Sequence, residues 1–316
     1  MITSGILNAR FPIPLKENFI AGLFLLLPFI GFSQGEFNNW YFGDQAGITF
    51  NSGLPVALTN GAMMTQRMTV SVSDSAGNLL FYSDGFELYN RMHQKMPNGN
   101  GLNMAGCDQH IAVVQKVDDD SSYYLFTYKY TVTPMSAFGG IRYSVINMRL
   151  DGGMGDIDPL QKNVQFQTAD VFSYKMVPVR HQNNRDVWLL TKTGYNTNTF
   201  LAYLIDSTGL HTTPVVSPVN YPIVYIPYCN PGNLRVSPDG SLIVCPYSDT
   251  VGVFSFNASN GHVAQLFYIA NNVFPNYYDW HYMEFSVDSK FLYVSTGDWP
   301  WTPADILQYD ATKLDS

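Results

Sequence analysis

The sequence has few of the residues that catalytic and nucleic-acid-binding sites need. Charged residues make up only 13% of the 316 residues, and the chain contains six histidines and three cysteines. The formal net charge is −8, and no segment concentrates lysine or arginine. Nucleic acid and anionic membrane surfaces attract concentrated positive charge, so the composition argues against both as partners.

Motifs of metal and redox centres are also missing from the sequence. No two histidines stand in an H-E-x-x-H pattern, and no two cysteines form C-x-x-C. We therefore predict no catalytic residue, no metal and no cofactor. Two alternatives stay open, namely a calcium loop at Asp118, Asp119 and Asp120 instead of a solvated turn, and an axial site made by histidines from several strands.

The histidines that could form such an axial site are His110, His181 and His281, because each lies at one end of a predicted inner strand. The plainer interpretation is that each imidazole hydrogen-bonds a neighbouring turn, as histidines of WD repeats do.

No apolar run reaches the roughly 18–20 residues that a membrane-spanning helix needs. The run at 19–30 is interrupted by Pro28, preceded by Arg10 and Lys16, and followed by Ser33 and Gln34. This order is typical of a secretory signal peptide. We predict a signal peptide at 1–34, contact with the membrane only through this export signal, and a protein that is extracellular or on the outer cell surface.

Cysteine is too scarce for a disulfide framework. Cys107, Cys229 and Cys245 are an odd set, so at most one bridge can form within the chain. Cys229 and Cys245 flank one predicted hairpin and are the favoured pair. The alternative is that all three are buried thiols.

A hairpin pattern recurs three times, at 70–82, 234–244 and 283–294. Each copy has apolar residues alternating with polar ones, then an Asp-containing turn, then a second apolar run. A unit this small cannot bury its apolar face alone and must pack against further copies. The aromatic content of 15% suits the flat faces between such sheets.

The second strands of the repeated units indicate a β-propeller. One reference residue in each of these strands, here called its anchor, marks the repeat. The anchors recur at intervals close to, or longer than, the roughly 40–50 residues of a four-stranded blade. These anchors are Leu79, Tyr123, Val187, Leu242 and Phe291. We predict an all-β propeller domain at 35–316 with five antiparallel blades and a partial N-terminal blade. A two-sheet sandwich is the alternative.

Closure of the ring is left open by the sequence, because few strands remain after 306–309 to complete the N-terminal blade. Either six units close with an irregular blade, or the chain is a fragment of a longer protein, which we favour.

Six short segments of the sequence resemble those of a known protein family. They are 39–43, 80–85, 89–99, 142–145, 179–188 and the WD-repeat-like turn 237–240. Together they resemble the N-terminal propeller region of large Bacteroidota surface proteins, which are exported by the type IX secretion system and end in a gliding-motility-associated sorting domain. The resemblance implies a propeller at the cell surface, and the secretion machinery as a partner if the full-length protein has the sorting domain. It implies no catalytic residues.

Aromatic and acidic residues in two predicted loops are the candidate ligand-binding residues. They are Tyr278, Asp279, Trp280, His281, Asp298, Trp299 and Trp301. Aromatic faces stack on sugars and anchor protein interfaces, and carboxylates bind hydroxyl groups. The plainer interpretation is that these rings fill gaps between blades.

We therefore predict a non-catalytic adhesion or interaction module whose partner is an extracellular protein or glycan. One alternative is a propeller enzyme that acts on an extracellular glycan or similar substrate, with carboxylates and His181 or His281 converging at its channel. A structural spacer is the other.

Overall fold

The protein is all-β in the part that the structure describes. The computed structural model describes residues 35–65, 68–102, 109, 111–133, 136–167, 175–193, 198–220, 232–247, 250–269, 282–296 and 305–314. Within these ranges the chain forms β-strands and short 3₁₀ turns, with no α-helix. Accordingly, no helix in the described ranges has the length and apolar character to cross a membrane.

The described strands form six small antiparallel sheets, numbered here in chain order. Sheet 1 consists of β1 (Asn39–Phe42), β2 (Ala46–Thr49) and β3 (Val56–Leu58), and sheet 2 of β4 (Val70–Ser73), β5 (Leu79–Ser83) and β6 (Leu88–Asn90). Sheet 3 consists of β7 (Ile111–Gln115), β8 (Ser122–Thr133), β9 (Ser136–Asn147), β10 (Asp156–Ile157) and β11 (Val164–Gln165).

The remaining three sheets follow the same order. Sheet 4 consists of β12 (Met176–Arg180), β13 (Val187–Lys192), β14 (Thr199–Asp206), β15 (Gly209–Leu210) and β16 (Val215–Pro218). Sheet 5 consists of β17 (Arg235–Val236), β18 (Leu242–Tyr247), β19 (Thr250–Asn257) and β20 (His262–Ile269), and sheet 6 of β21 (Met283–Phe285), β22 (Phe291–Thr296) and β23 (Asp305–Asp310).

The predicted all-β class and the predicted hairpins are confirmed. All five sequence anchors lie at or next to the first residue of the second strand of sheets 2 to 6. The prediction of uniformly four-stranded units is too simple, because the described sheets have three to five strands. In sheets 3 and 4, where the anchor spacing is widest, the outermost position is shared by two short strands, β10 with β11 and β15 with β16.

The recurrent turns are held by aspartate side chains. Asp239 Oδ1 accepts hydrogen bonds from Ser237 Oγ (2.6 Å) and from the backbone N–H of Ser241 (3.0 Å). Asp288 accepts in the same way from Ser286 Oγ (2.7 Å). Because the carboxylate satisfies turn donors that no strand partner can reach, each hairpin reverses at the aspartate.

Hydrophobic cores lie between successive sheets. Adjacent residues of one strand serve different cores, since successive side chains point to opposite faces. In β13, Leu189 packs toward sheet 3 and Leu190 toward sheet 5. In β18, Ile243 packs toward sheet 4 and Val244 toward sheet 6. Five such cores join sheets 1 to 6 in chain order within the described residues.

Sheets 6 and 1 share no hydrophobic core in the described part of the chain. The outward faces of these two sheets carry exposed apolar side chains, namely Trp40 and Phe42 in β1 and Ile306 in β23. Among the described residues, sheet 1 is therefore covered on one face, by Tyr82 and Tyr89 of sheet 2.

Buried amide side chains join the inner strands of different sheets. Asn233 Oδ1 accepts from the backbone N–H of Met283 (2.8 Å), and its Nδ2 donates to the Met283 carbonyl (3.0 Å). Gln109 makes the same double contact with the backbone of Leu234 (2.5 and 2.9 Å). In both contacts the side-chain amide supplies the acceptor for a backbone N–H and the donor for a backbone carbonyl of another sheet.

Replacing Asn233 with alanine should therefore destabilise the fold, because it leaves both backbone groups of Met283 buried without these partners. We expect the free energy of unfolding to fall by about 1–3 kcal/mol, measured by urea denaturation. Asn100→Ala is the matched control, since Asn100 is exposed. Equal stability of the two variants would contradict this role of Asn233.

Two buried tyrosines should respond oppositely to loss of their hydroxyl groups. Tyr203 is fully buried, and within the described chain its hydroxyl has no hydrogen-bond partner. Tyr128 is also fully buried, but its hydroxyl bonds Thr191 Oγ1 (2.5 Å). We expect Tyr203→Phe to leave the free energy of unfolding unchanged or to raise it, and Tyr128→Phe to lower it by about 1 kcal/mol. A loss of stability in both variants would overturn the assignment for Tyr203.

Candidate functional site

The ligand-binding residues predicted from the sequence lie outside the described residues. Tyr278, Asp279, Trp280 and His281 fall between β20 and β21, and Asp298, Trp299 and Trp301 fall between β22 and β23. His110, Cys107, Cys229 and the predicted signal peptide at 1–34 are outside them as well. Cys245 is buried. These assignments, including the Cys229–Cys245 pair, stay predictions.

His181 is bound within a turn, which confirms the plainer interpretation for this histidine. Its Nδ1 accepts a hydrogen bond from the backbone N–H of Asn183 (3.0 Å), and its Nε2 lies 3.1 Å from the carbonyl of Ser259. The ring also stacks on Trp188, with centroids 5.6 Å apart. Because both ring nitrogens have partners, His181 is poorly placed to act as a metal ligand or a general base.

The Asp118–Asp120 run is a solvated turn, as the simpler interpretation of its sequence predicted. Asp118 pairs with Arg185, and Arg149 lies 3.6 Å from both Asp119 and Asp120. Side chains that could jointly hold a metal ion do not cluster anywhere in the described ranges. Arginine side chains therefore lie beside these carboxylates, where the alternative interpretation placed a calcium ion.

A central cavity of about 1650 Å³ opens on the described surface. It is lined by the first strands of sheets 1 to 5, together with Glu284 of sheet 6. The turns that follow β4, β7, β12 and β17 surround its mouth. At the other end lies Gln109, whose amide joins sheet 3 to sheet 5 through Leu234.

The inner strands give the cavity a largely apolar wall. Small aliphatic side chains and methionines of these strands line the cavity, with polar side chains among them. The apolar wall residues include Val70, Val72, Ile111, Val113, Met176, Val177, Val179 and Val236.

Exposed aromatic side chains form one side of the cavity. Phe37, Trp40 and Phe42, here called the aromatic edge, are 74%, 51% and 38% exposed. Trp40 Nε1 donates to the Phe37 carbonyl (2.8 Å), and its ring packs at 60° against Phe50. The indole is thus held in place while part of its face meets solvent.

The aromatic edge was not predicted as a site from the sequence, where residues 39–43 served as one of the segments that carry the family resemblance. Its signal is the alternation in β1, where Asn39 and Tyr41 are buried while Trp40 and Phe42 are exposed. Aromatic residues on both faces of one strand indicate that the second face has a use besides the core.

Acidic side chains predominate at the mouth. The lining carboxylates are Glu36, Asp74, Asp120, Asp239 and Glu284, and the lining guanidinium groups are those of Arg180 and Arg235. Arg235 Nε lies 2.9 Å from Glu284 Oε2, so this pair is locally neutral. The excess of negative charge therefore comes from the remaining carboxylates.

Turn hydrogen bonds keep two of these carboxylates ionised. Burial raises the pKa of Asp74, but hydrogen bonds from the side chain and backbone of Asn78 outweigh it, so the pKa lies below its ordinary value. Burial likewise opposes the hydrogen bonds of Ser237 and Ser241 to Asp239, and the net shift of its pKa is again downward.

Comparisons with known proteins assign no family. No family model and no curated protein matches the sequence. Among solved structures, the fission yeast SREBP–SCAP binding domains match at 10% identity and TM-score 0.44, over 96% of this chain and 81% of that one. The β-propeller domain of Cps50 (Swd1) from Myceliophteria thermophila matches at 10% identity and TM-score 0.35, over 88% and 85%.

A third match is a functionally unknown protein from Desulfotomaculum acetoxidans, at 12% identity and TM-score 0.36, over 78% of this chain and 74% of that one. Likeness at these TM-scores supports no conclusion about the activity of this chain.

The turn carboxylates should titrate at unusually low pH. Hydrogen bonding by Ser286, followed by that of Lys290, lowers the pKa of Asp288 from the ordinary 3.8 to about 2. Its stabilising contribution is thus complete above pH 3.8 and is lost as the pH falls toward about 2. We expect Ser286→Ala to raise this pKa, measured by carbon NMR titration of the carboxyl group. Ser52→Ala is the control, and an unchanged pKa in Ser286→Ala would contradict the assignment.

Proposed function

We propose that the six sheets are blades of a β-propeller and that this propeller is the ligand-binding module of an exported surface protein. Three observations support the fold. Inner strands line one cavity, successive sheets pack face to face in chain order, and equivalent turns surround the mouth. This is the arrangement in which propeller blades protect one another's faces and edges.

The aromatic edge beside the cavity is the observation that carries the binding function. Exposed apolar side chains that lie together often mark a contact surface, and aromatic side chains contribute strongly to binding. Phe37, Trp40 and Phe42 supply such faces next to an apolar wall. The partner on this proposal is an extracellular protein or glycan.

The polar groups at the mouth favour binding over acid–base chemistry. His181 is bound by its own turn and by Ser259, and Arg235 pairs with Glu284. Asp239 is engaged by the serines of its turn. Groups held in this way can orient a ligand, but they are already committed as hydrogen-bond partners.

The family resemblance supports the cellular setting of the proposal. On this proposal residues 1–34 are the signal peptide, 35–316 form the propeller domain, and the protein acts outside the cell or on its outer surface. Export by the type IX machinery follows if the full-length protein carries the sorting domain of that family.

Binding by the purified chain should depend on the aromatic edge. We expect Trp40→Ala to weaken a ligand found on glycan arrays or panels of purified surface proteins by about tenfold, measured by surface plasmon resonance. Leu160→Ala is the control, because Leu160 is 90% exposed and does not line the cavity. Full binding by Trp40→Ala would refute this location of the site, and no binding to either collection would favour a structural spacer.

A further inference from the structure

We infer that the mouth of the central cavity binds a cationic segment of a protein partner, with a lysine or arginine side chain against the aromatic edge. This inference rests on the proposed binding function and selects the chemical class of the ligand. Three features of the mouth carry it, namely the charge balance, the presentation of Trp40, and the apolar wall behind both.

The first feature is an excess of carboxylates after local pairs are removed. Arg235 is matched by Glu284, and Asp120 lies 3.6 Å from Arg149, which does not line the cavity. Glu36, Asp74 and Asp239 then face a single lining guanidinium group, that of Arg180. The field inside a cleft with low-dielectric walls concentrates cations, so positively charged ligands are favoured there.

Fixed geometry makes this charge available to a ligand. The carboxylates of Asp74 and Asp239 are held in place by turn hydrogen bonds. Glu36 adjoins Phe37 in the chain, so its charge lies beside the aromatic edge. A cation bound there would gain from both groups.

The second feature is the way Trp40 is presented. Its indole N–H is already used by the Phe37 carbonyl, which leaves the ring face as the group offered to a ligand. The faces of aromatic rings carry negative electrostatic potential and attract ammonium and guanidinium groups. Phe37, more exposed than Trp40, supplies a second ring next to it.

The third feature is the apolar wall beyond the aromatic edge. Val70 and Val72 of β4 and Val113 of β7 line the cavity. The long methylene stems of lysine and arginine cover apolar surface while their charged ends stay near carboxylates. A cationic peptide therefore fits this mouth better than a neutral sugar, which would leave the carboxylate charge unmatched.

The test compares labelled probes by fluorescence anisotropy on the full chain. The probes are a short oligolysine peptide, an oligoglutamate of equal length and a neutral oligosaccharide. We expect oligolysine to bind most tightly and to weaken as salt rises, since exposed charges are screened. Trp40→Ala should weaken oligolysine about tenfold, and Glu36→Gln should weaken it by a smaller factor.

Two further variants make the charge argument specific. Arg180→Gln removes the opposing cation from the mouth and should strengthen oligolysine binding. Asp151→Asn changes the net charge as Glu36→Gln does, but Asp151 does not line the cavity, so its binding should equal that of the unaltered chain. Circular dichroism confirms that each variant is folded.

The outcomes separate this inference from the function on which it rests. Oligolysine binding no tighter than oligoglutamate binding, or unaffected by Trp40→Ala, would overturn the inference. Neutral sugars bound through Trp40 in the absence of oligolysine binding would also overturn it and leave the binding function standing. If the chain binds none of these probes and no array ligand, both this inference and the proposed binding function are contradicted.

Discussion

No sheet of this protein can bury both of its faces by itself, and the rest of the structure depends on that constraint. Each described sheet has three to five strands, and inner strands such as β13 carry apolar side chains on both faces. The sheets solve this problem by packing against one another in chain order, because each sheet covers the free face of the one before it. Leu189 and Leu190, adjacent in β13, belong to different cores for this reason.

Face-to-face packing does not supply hydrogen-bond partners for the backbone groups at the edges of the inner strands. Neighbouring inner strands diverge from a continuous ladder, and their backbone groups then need partners from side chains. The amides of Gln109 and Asn233 supply them, with two hydrogen bonds each to one residue of another sheet. Ser71 does the same for sheets 1 and 2, accepting from the Tyr41 N–H at 2.8 Å. The Asn233 and Ser71 contacts join successive sheets and the Gln109 contact joins sheets 3 and 5, whereas apolar burial supplies most of the stability.

The central cavity follows from the same packing. When both faces of a sheet contact other sheets, its innermost strand has only the axis left to face, and the axis becomes a lined space. Sheets 1 and 6 are the exceptions, since a described neighbour covers only one face of each, and the second face of sheet 1 presents Trp40 and Phe42 to the cavity. The place where the packing pattern is incomplete is thus also the place best suited to a partner.

The sequence by itself determined the repeating hairpins, their turns and the all-β class, because alternation and Asp-containing turns are local properties read over a few residues. All five strand anchors were predictable for this reason, and so was the turn-bound state of His181. Only the tertiary structure decided which residues share the cavity. Glu36 and Trp40, Arg180, and Asp239 come from three distant segments, and packing alone brings them to one cavity. The double contacts of Gln109 and Asn233 could not be predicted either. The local sequence around an amide does not show which distant backbone groups it will contact in the folded chain.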